Sequence, residues 1–189
     1  MGLQAIYPKK KTTIENKEHK KYPYLLRKIN INKPDVVWAS DISYIRLKRG
    51  FVYLTVVMDW FSRYVISWKL SPSLESSFCN EVLLEALKTG KPEIFNTDQG
   101  CQYTSQEFTG ILKKFEVKIS MSGKGRCFDN IFVERLWRSV KYENIYLYAY
   151  ETISEVQEGL EEYFEFYNEV RPHQSLKKKT PKEIYERGK

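Results

Sequence analysis

Hydrophobic and polar positions change period several times along the chain, and each change marks an element. Residues 36–47 alternate: Ala39, Asp41, Ser43 and Ile45 share one side and Trp38, Ile42 and Tyr44 the other, the pattern of a strand. Lys48, Arg49 and Gly50 form a turn into 51–59, a run so nearly apolar that it predicts a strand buried on both faces, and 64–70 reads as a third strand. The period then lengthens. Val82, Leu83, Ala86 and Leu87 give 77–88 a helical stripe, Ile94 and Phe95 begin a short strand that ends at Asp98 and breaks at Gly100, and a helix over 105–115 leads into a short strand over 117–121. Phe132, Leu136 and Val140, with Val133 beside them, form the stripe of a further helix, from which Glu134, Arg138 and Lys141 face away. Asp129 and Asn130 stand where N-cap residues belong, and Val156, Leu160, Tyr163, Phe164 and Tyr167 repeat at helical spacing over 153–167. Three consecutive strands followed by alternating helix and strand predict an α/β fold, a mixed five-stranded sheet flanked by helices.

Three carboxylates stand out against this pattern. An ionised Asp41 in mid-strand is expensive to bury and disfavoured by strand propensity, so it needs a partner, and a metal ion is a suitable one. Asp98 is delivered at the carboxyl end of a strand, and 35 residues separate it from Glu134. Each has a plainer reading alone: Asp98 as a turn residue, Glu134 as the i, i+4 partner of Arg138. Asp59 and Asp129 read as turn and cap residues, and Tyr167, Asn168, Arg171, Pro172 and His173 as a packing and capping cluster at a helix end.

Together, Asp41, Asp98 and Glu134 with that interval, Thr97-Asp98-Gln99-Gly100 followed by Tyr103-Thr104-Ser105, Lys141 seven residues beyond Glu134, and the closing Tyr167-Asn168-Glu169-Val170-Arg171-Pro172-His173-Gln174-Ser175-Leu176 and Thr180-Pro181-Lys182-Glu183-Ile184-Tyr185 resemble the retroviral-integrase-like DDE transposases of bacterial insertion sequences. The resemblance covers roughly residues 6–186. It implies a ribonuclease H-like fold, with 34–150 as catalytic core, 1–33 as a basic N-terminal arm and 151–189 as a C-terminal helical extension with a basic tail. It further implies hydrolysis at transposon ends and transfer of the 3′-hydroxyl into target DNA by a homo-oligomer on DNA. Two Mg²⁺ (or Mn²⁺) ions would be held by Asp41, Asp98 and Glu134, which should therefore converge, with Glu134 splayed away by repulsion in the absence of metal. Asn96 departs from the pattern, since many relatives carry His there, and this removes a possible hydrogen-bond donor behind Asp98. A nuclease of the same fold, a lapsed transposase that only binds DNA, and a truncated remnant remain open alternatives, as does a longer frame upstream of Met1.

The chain has 189 residues, 42% hydrophobic and 15% aromatic, which suits one core with appendages and excludes a disordered chain. No apolar run approaches a membrane span and the Lys-rich start lacks the apolar stretch of a signal peptide, so a cytoplasmic protein with no membrane partner is expected. Cys79, Cys101 and Cys127, with only His19 and His173, suggest neither a disulfide framework nor a zinc site. The net charge of +7 is concentrated at the ends: residues 1–33 hold nine Lys or Arg against two Glu, and 171–189 seven against two. Basic arms of this kind can track a phosphate backbone, and Lys9, Lys10, Lys11, Lys124, Arg138 and Lys141 are the candidate DNA contacts. Tyr7, Tyr22 and Tyr24 interleave with the cations, in reach of either stacking on a ligand or packing on the core, and Gly123-Lys124-Gly125 reads as a mobile loop near the site.

Overall fold

The computed structural model describes residues 20–48, 50–123 and 130–188. Strands β1 (Val37–Arg46), β2 (Phe51–Asp59) and β3 (Val65–Ser71) form an antiparallel meander, and helix α1 (Ser76–Thr89) crosses to β4 (Ile94–Thr97). The single turn α2 (Cys101–Thr104) and α3 (Gln106–Lys114) lead to β5 (Lys118–Met121). The sheet order is β3-β2-β1-β4-β5, with β4 parallel to both β1 and β5. The Ser105 hydroxyl accepts from the Phe108 N–H and so caps α3, the helix expected over 105–115, and separates it from α2, which the sequence pattern does not foresee.

After β5 the chain forms α4 (Ile131–Val140), which continues without a break through a π-helical turn, Lys141–Ile145, into α5 (Tyr146–Tyr148) and ends on Ala149 in the left-handed conformation. Helix α6 (Ile153–Glu165) is capped by Thr152 and likewise runs into a π-helical turn, Phe166–Val170. A last helix, α7 (Pro181–Arg187), is not foreseen by the hydrophobic pattern, although its start is written in the sequence. Thr180 and Glu183 form a reciprocal capping box around Pro181.

The alternation of β1 decides how the layers pack. Val37, Ala39 and Ile45 join one core with Val133, Leu136 and Val140 of α4 and Val156, Leu160, Phe164 and Tyr167 from α6 and its continuation. Trp38, on the other side, joins Phe78, Val82 and Leu83 of α1 and Phe108 and Leu112 of α3. In β2, Val52, Leu54, Val56 and Met58 belong to the first core and Val57 to the second, so the apolar run is buried on both faces as the sequence predicts. Each fully buried aliphatic side chain contributes about 1.5–3 kcal/mol, which makes these two cores the main source of stability.

Residues 20–33, basic by composition, lie on this body. Leu26 is buried, Tyr24, Leu25, Ile29 and Ile31 pack on the α4–α6 core, and Tyr22 packs on the opposite one with Lys20 and Lys113 over its ring. The Leu25 N–H donates to Ser120 Oγ at 3.1 Å. Charge counting overlooks these residues because the apolar side chains lie between the cations. Lys9, Lys10, Lys11, Lys124 and Asp129 fall outside the described residues.

The expected cluster after α6 is present and holds the chain end to the sheet. The Asn168 amide accepts from the Val65 N–H at 3.0 Å and donates to the Val65 carbonyl at 2.9 Å, which pairs part of the edge strand β3. Arg171 grips the Glu143 carboxylate with Nε at 2.7 Å and Nη2 at 2.5 Å, and the Tyr163 hydroxyl donates to the same carboxylate at 2.9 Å. Burial pushes the Glu143 carboxyl up, but the Arg171 and Tyr163 hydrogen bonds outweigh it and hold the group below its ordinary range. Asp59 is a buried turn residue as expected, accepting from the N–H groups of Asp35 and Ser62 and from the Ser62 hydroxyl. Among the described residues no helix is long and apolar enough to cross a membrane.

Candidate active site

The site is built by the register between two parallel strands. Ala39 pairs with Asn96, the last pair of that register, so Asp41 and Asp98 each follow it by two residues, and the charge of Asp98 acts on Asp41. Asp41 is central in β1, opposite Val56 of β2. Its carboxylate is largely buried and accepts a hydrogen bond from Trp137 Nε1 at 2.8 Å. Burial is the main reason its pKa rises from 3.8 to about 6, the Trp137 bond opposes the rise, and the charges of Asp98 and then Glu134 add to it. Both other candidate carboxylates are thus within electrostatic reach of Asp41.

Asp98 is held by a local bond: its Oδ1 accepts from the Gly100 N–H at 2.9 Å. Desolvation pushes the Asp98 pKa up and the Gly100 bond pulls it back. A Cβ at position 100 would lie 3.0 Å from that same oxygen, so glycine lets the backbone approach the carboxylate closely. Asn96 is fully buried on the same strand. It accepts from Ser120 Oγ at 2.9 Å and donates to Ser122 Oγ at 3.3 Å, so it ties β4 to β5.

Glu134 is exposed in the first turn of α4, three residues before Trp137 and so one helical turn away on the same flank. Asn130 occupies the N-cap position, but its side chain makes no cap bond, and its buried Oδ1 has no partner among the described residues. The buried stripe of α4 is Val133, Leu136, Trp137 and Val140, with Phe132 only half-buried, so the stripe is rotated slightly from the sequence reading. Trp137 is the residue that reading missed. A tryptophan next to an apolar stripe and one turn after a candidate ligand was the available signal, because a buried indole N–H needs an acceptor. Arg138 is exposed with its guanidinium over the Tyr142 ring, and Lys141 is half-buried at the start of the π-helical turn.

The donor set suits a hard divalent cation: carboxylate oxygens, one of them buried and destabilised as an anion by two acidic neighbours, a penalty that a bound cation offsets. Among the described residues no three His, Cys, Asp or Glu side chains are gathered closely enough to enclose an ion.

A family profile described as an integrase core domain matches residues 31–127, and a second of the same description matches 115–181. The chain belongs to the integrase core domain family. It is 34% identical over 167 residues to the transposase for insertion sequence element IS904 of Lactococcus lactis, covering 86% of this chain and 66% of that protein. With the transposase InsF for insertion sequence IS3A of Escherichia coli it shares 40% identity over 116 residues, covering 60% of this chain and 40% of the relative. This integrase-core chain therefore spans less than two thirds of the length of either curated relative. Among solved structures it is similar to the HTLV-2 integrase catalytic core domain in complex with magnesium, with a TM-score of 0.67 and 23% identity over 82% of this chain and 97% of that one. It is also similar to a chain of the simian T-cell lymphotropic virus intasome, with a TM-score of 0.73 and 24% identity over 90% of this chain and 60% of that one. The fold is that of the retroviral integrase catalytic cores, the ribonuclease H-like mixed sheet expected from the order of elements.

Proposed function

We propose that this chain is the catalytic core of an insertion-sequence transposase, a polynucleotidyl transferase that hydrolyses a phosphodiester at transposon ends and joins the 3′-hydroxyl to target DNA, with Asp41, Asp98 and Glu134 as its metal-binding carboxylates. The observation that supports this reading is that Asp41, largely buried, is acted on by the charges of both Asp98 and Glu134. Two Mg²⁺ or Mn²⁺ ions bound there would supply Lewis-acid activation of the phosphate and of the attacking oxygen. The protein's own groups prepare the site: the Trp137 indole fixes one oxygen of Asp41, and the Gly100 N–H fixes one of Asp98. Arg138 and Lys141, on the helix of Glu134, are assigned to DNA phosphates, and Lys124, Lys9, Lys10 and Lys11 to further backbone contacts. Similarity to an intasome chain supports action as a homo-oligomer on DNA; 34–150 would be the catalytic core and 151–189 an extension of it, in a cytoplasmic protein.

The test uses labelled duplexes carrying the terminal sequences of the element that encodes the protein, with Mg²⁺. The wild-type chain is expected to give nicked and then joined products, and Asp98→Asn neither. Nicking that survives Asp98→Asn overturns the assignment, and metal-dependent nicking without joined products reduces the activity to that of a nuclease.

A further inference from the structure

A cleft of about 520 Å³ lies on the α4 side of the fold, and none of the three carboxylates lines it. The β2–β3 turn supplies Trp60 and Arg63, the start of α4 supplies Phe132, and the segment before α7 supplies Leu176, Lys177 and Lys179. The Arg63 guanidinium lies 3.4 Å from the centre of the Phe132 ring, and Trp60 meets the same ring edge-on at 5.2 Å. Arg63 is a poorly compensated cation. Its Nη1 donates to the Phe61 carbonyl at 3.3 Å, no carboxylate pairs with it among the described residues, and burial lowers its pKa to about 10. Asp59 is close enough to act on it, but the Asp59 oxygens are taken by Asp35 and Ser62. Trp60 Nε1 is buried in the same wall with no acceptor among the described residues. Arg63 and Lys177 both have left-handed backbone conformations, φ 67° and 55°, which few non-glycine residues adopt, so two of the three cations sit on strained positions.

These features describe a receptor for a flat apolar body that carries an anion. Three cations with no acidic residue among the described lining call for a negative group, whereas the Phe132, Trp60 and Leu176 walls call for a ring. We propose that the cleft binds one nucleotide unit, its phosphate held by Arg63, Lys177 and Lys179 and its base against the aromatic and aliphatic wall. The chemistry is that of strand binding generally, where cations hold the backbone and π-faces hold bases, and the volume falls in the range of small-ligand sites. A DNA strand as the source rests on the proposed function, but the site itself does not use the catalytic carboxylates.

The test is run on the full chain in EDTA, so that it is independent of metal and of catalysis. Thymidine 5′-monophosphate is titrated while the indole N–H resonance of Trp60, assigned with Trp60→Phe, is followed by NMR. A saturable shift is expected, with inorganic phosphate and thymidine each binding at least about tenfold more weakly. The double variant Lys177→Glu/Lys179→Glu, whose changes lie at the rim, should keep its unfolding temperature and lose at least about tenfold in affinity. A single-stranded trinucleotide that binds more tightly than the mononucleotide assigns the site to a DNA strand, and the reverse order assigns it to a free nucleotide. The proposal is overturned by no saturation at about 10 mM, by phosphate or thymidine binding equally well, or by unchanged affinity in the double variant. Asp98→Asn protein should bind the nucleotide as wild type does, so a failed catalytic assignment and a failed cleft give different results.

Discussion

Trp137 donates its indole N–H to Asp41 at 2.8 Å, and this bond sets the height of helix α4 against the central strand. Because Glu134 precedes Trp137 by one turn, the same bond brings the third carboxylate to the level at which its charge acts on Asp41. The acidic centre is therefore positioned from the helix side by an uncharged donor, which leaves the carboxylates available to a cation.

Asp41 destabilises the metal-free protein at neutral pH. Burial first, then the charges of Asp98 and Glu134, hold its pKa at about 6 against 3.8 in the unfolded chain, so between those values the folded state binds the proton more tightly. Stability then falls as pH rises through that window, and the loss, on the order of 3 kcal/mol, is complete above pH 6. Asp41→Asn keeps an acceptor for Trp137 and removes the charge. Its unfolding temperature at alkaline pH should exceed that of wild type by roughly 5–10 °C, a difference that disappears in strong acid. Added Mg²⁺ should raise the unfolding temperature of wild type only. A variant no more stable than wild type in alkaline solution without metal would refute the electrostatic account.

Replacing Trp137 by Phe removes the group that opposes the rise in the Asp41 pKa. A hydrogen bond to a charged group is worth about 1.5–3 kcal/mol, so the acid limb of Mg²⁺-dependent activity should move up by about one to two pH units. A pH–rate profile whose acid limb stays in place, with only the rate lowered, would limit Trp137 to packing.

Arg138→Ala and Lys141→Ala should each weaken binding to duplex DNA and flatten the plot of log K against log salt, by about 0.9 for every phosphate that is no longer neutralised. The weakening should be the same for transposon-end and unrelated duplexes, because phosphate contacts carry no direct sequence information. An unchanged slope identifies the residue as an ordinary surface cation.

Asn168→Ala strips two hydrogen bonds from Val65 and leaves a backbone N–H and carbonyl of the edge strand without their side-chain partner. A destabilisation of about 2 kcal/mol is expected, a drop of roughly 4–8 °C in unfolding temperature. Hydrogen exchange at the Val65 amide should quicken more than at amides of β1, and uniform quickening would mean that Asn168 acts through global packing instead.

Most of the architecture was fixed by the order of periods along the chain. The alternation at 36–47, the double-sided apolar run at 51–59 and the helical stripes at 77–88 and 153–167 each bury one set of side chains in only one way, so strands, helices and the two-faced core follow from the sequence. The capping box at Thr180 was equally legible, although periodicity alone passes over a helix of seven residues. Sequence also marked Asp41, Asp98 and Glu134 as candidates by residue type and interval, but an interval carries no distance. Only the tertiary structure brought Asp98 within electrostatic reach of Asp41, because the pairing of β1 with β4 is a relation between segments more than fifty residues apart. Only packing chose Trp137 as the partner of Asp41, since a stripe on a helix does not say which strand residue it will meet. The same holds for residues 20–33, where charge is the visible signal and the docked Leu26 becomes visible only once there is a core to receive it. Local patterns are decided by short-range sterics and burial, whereas sites are decided by contacts between distant parts of the chain.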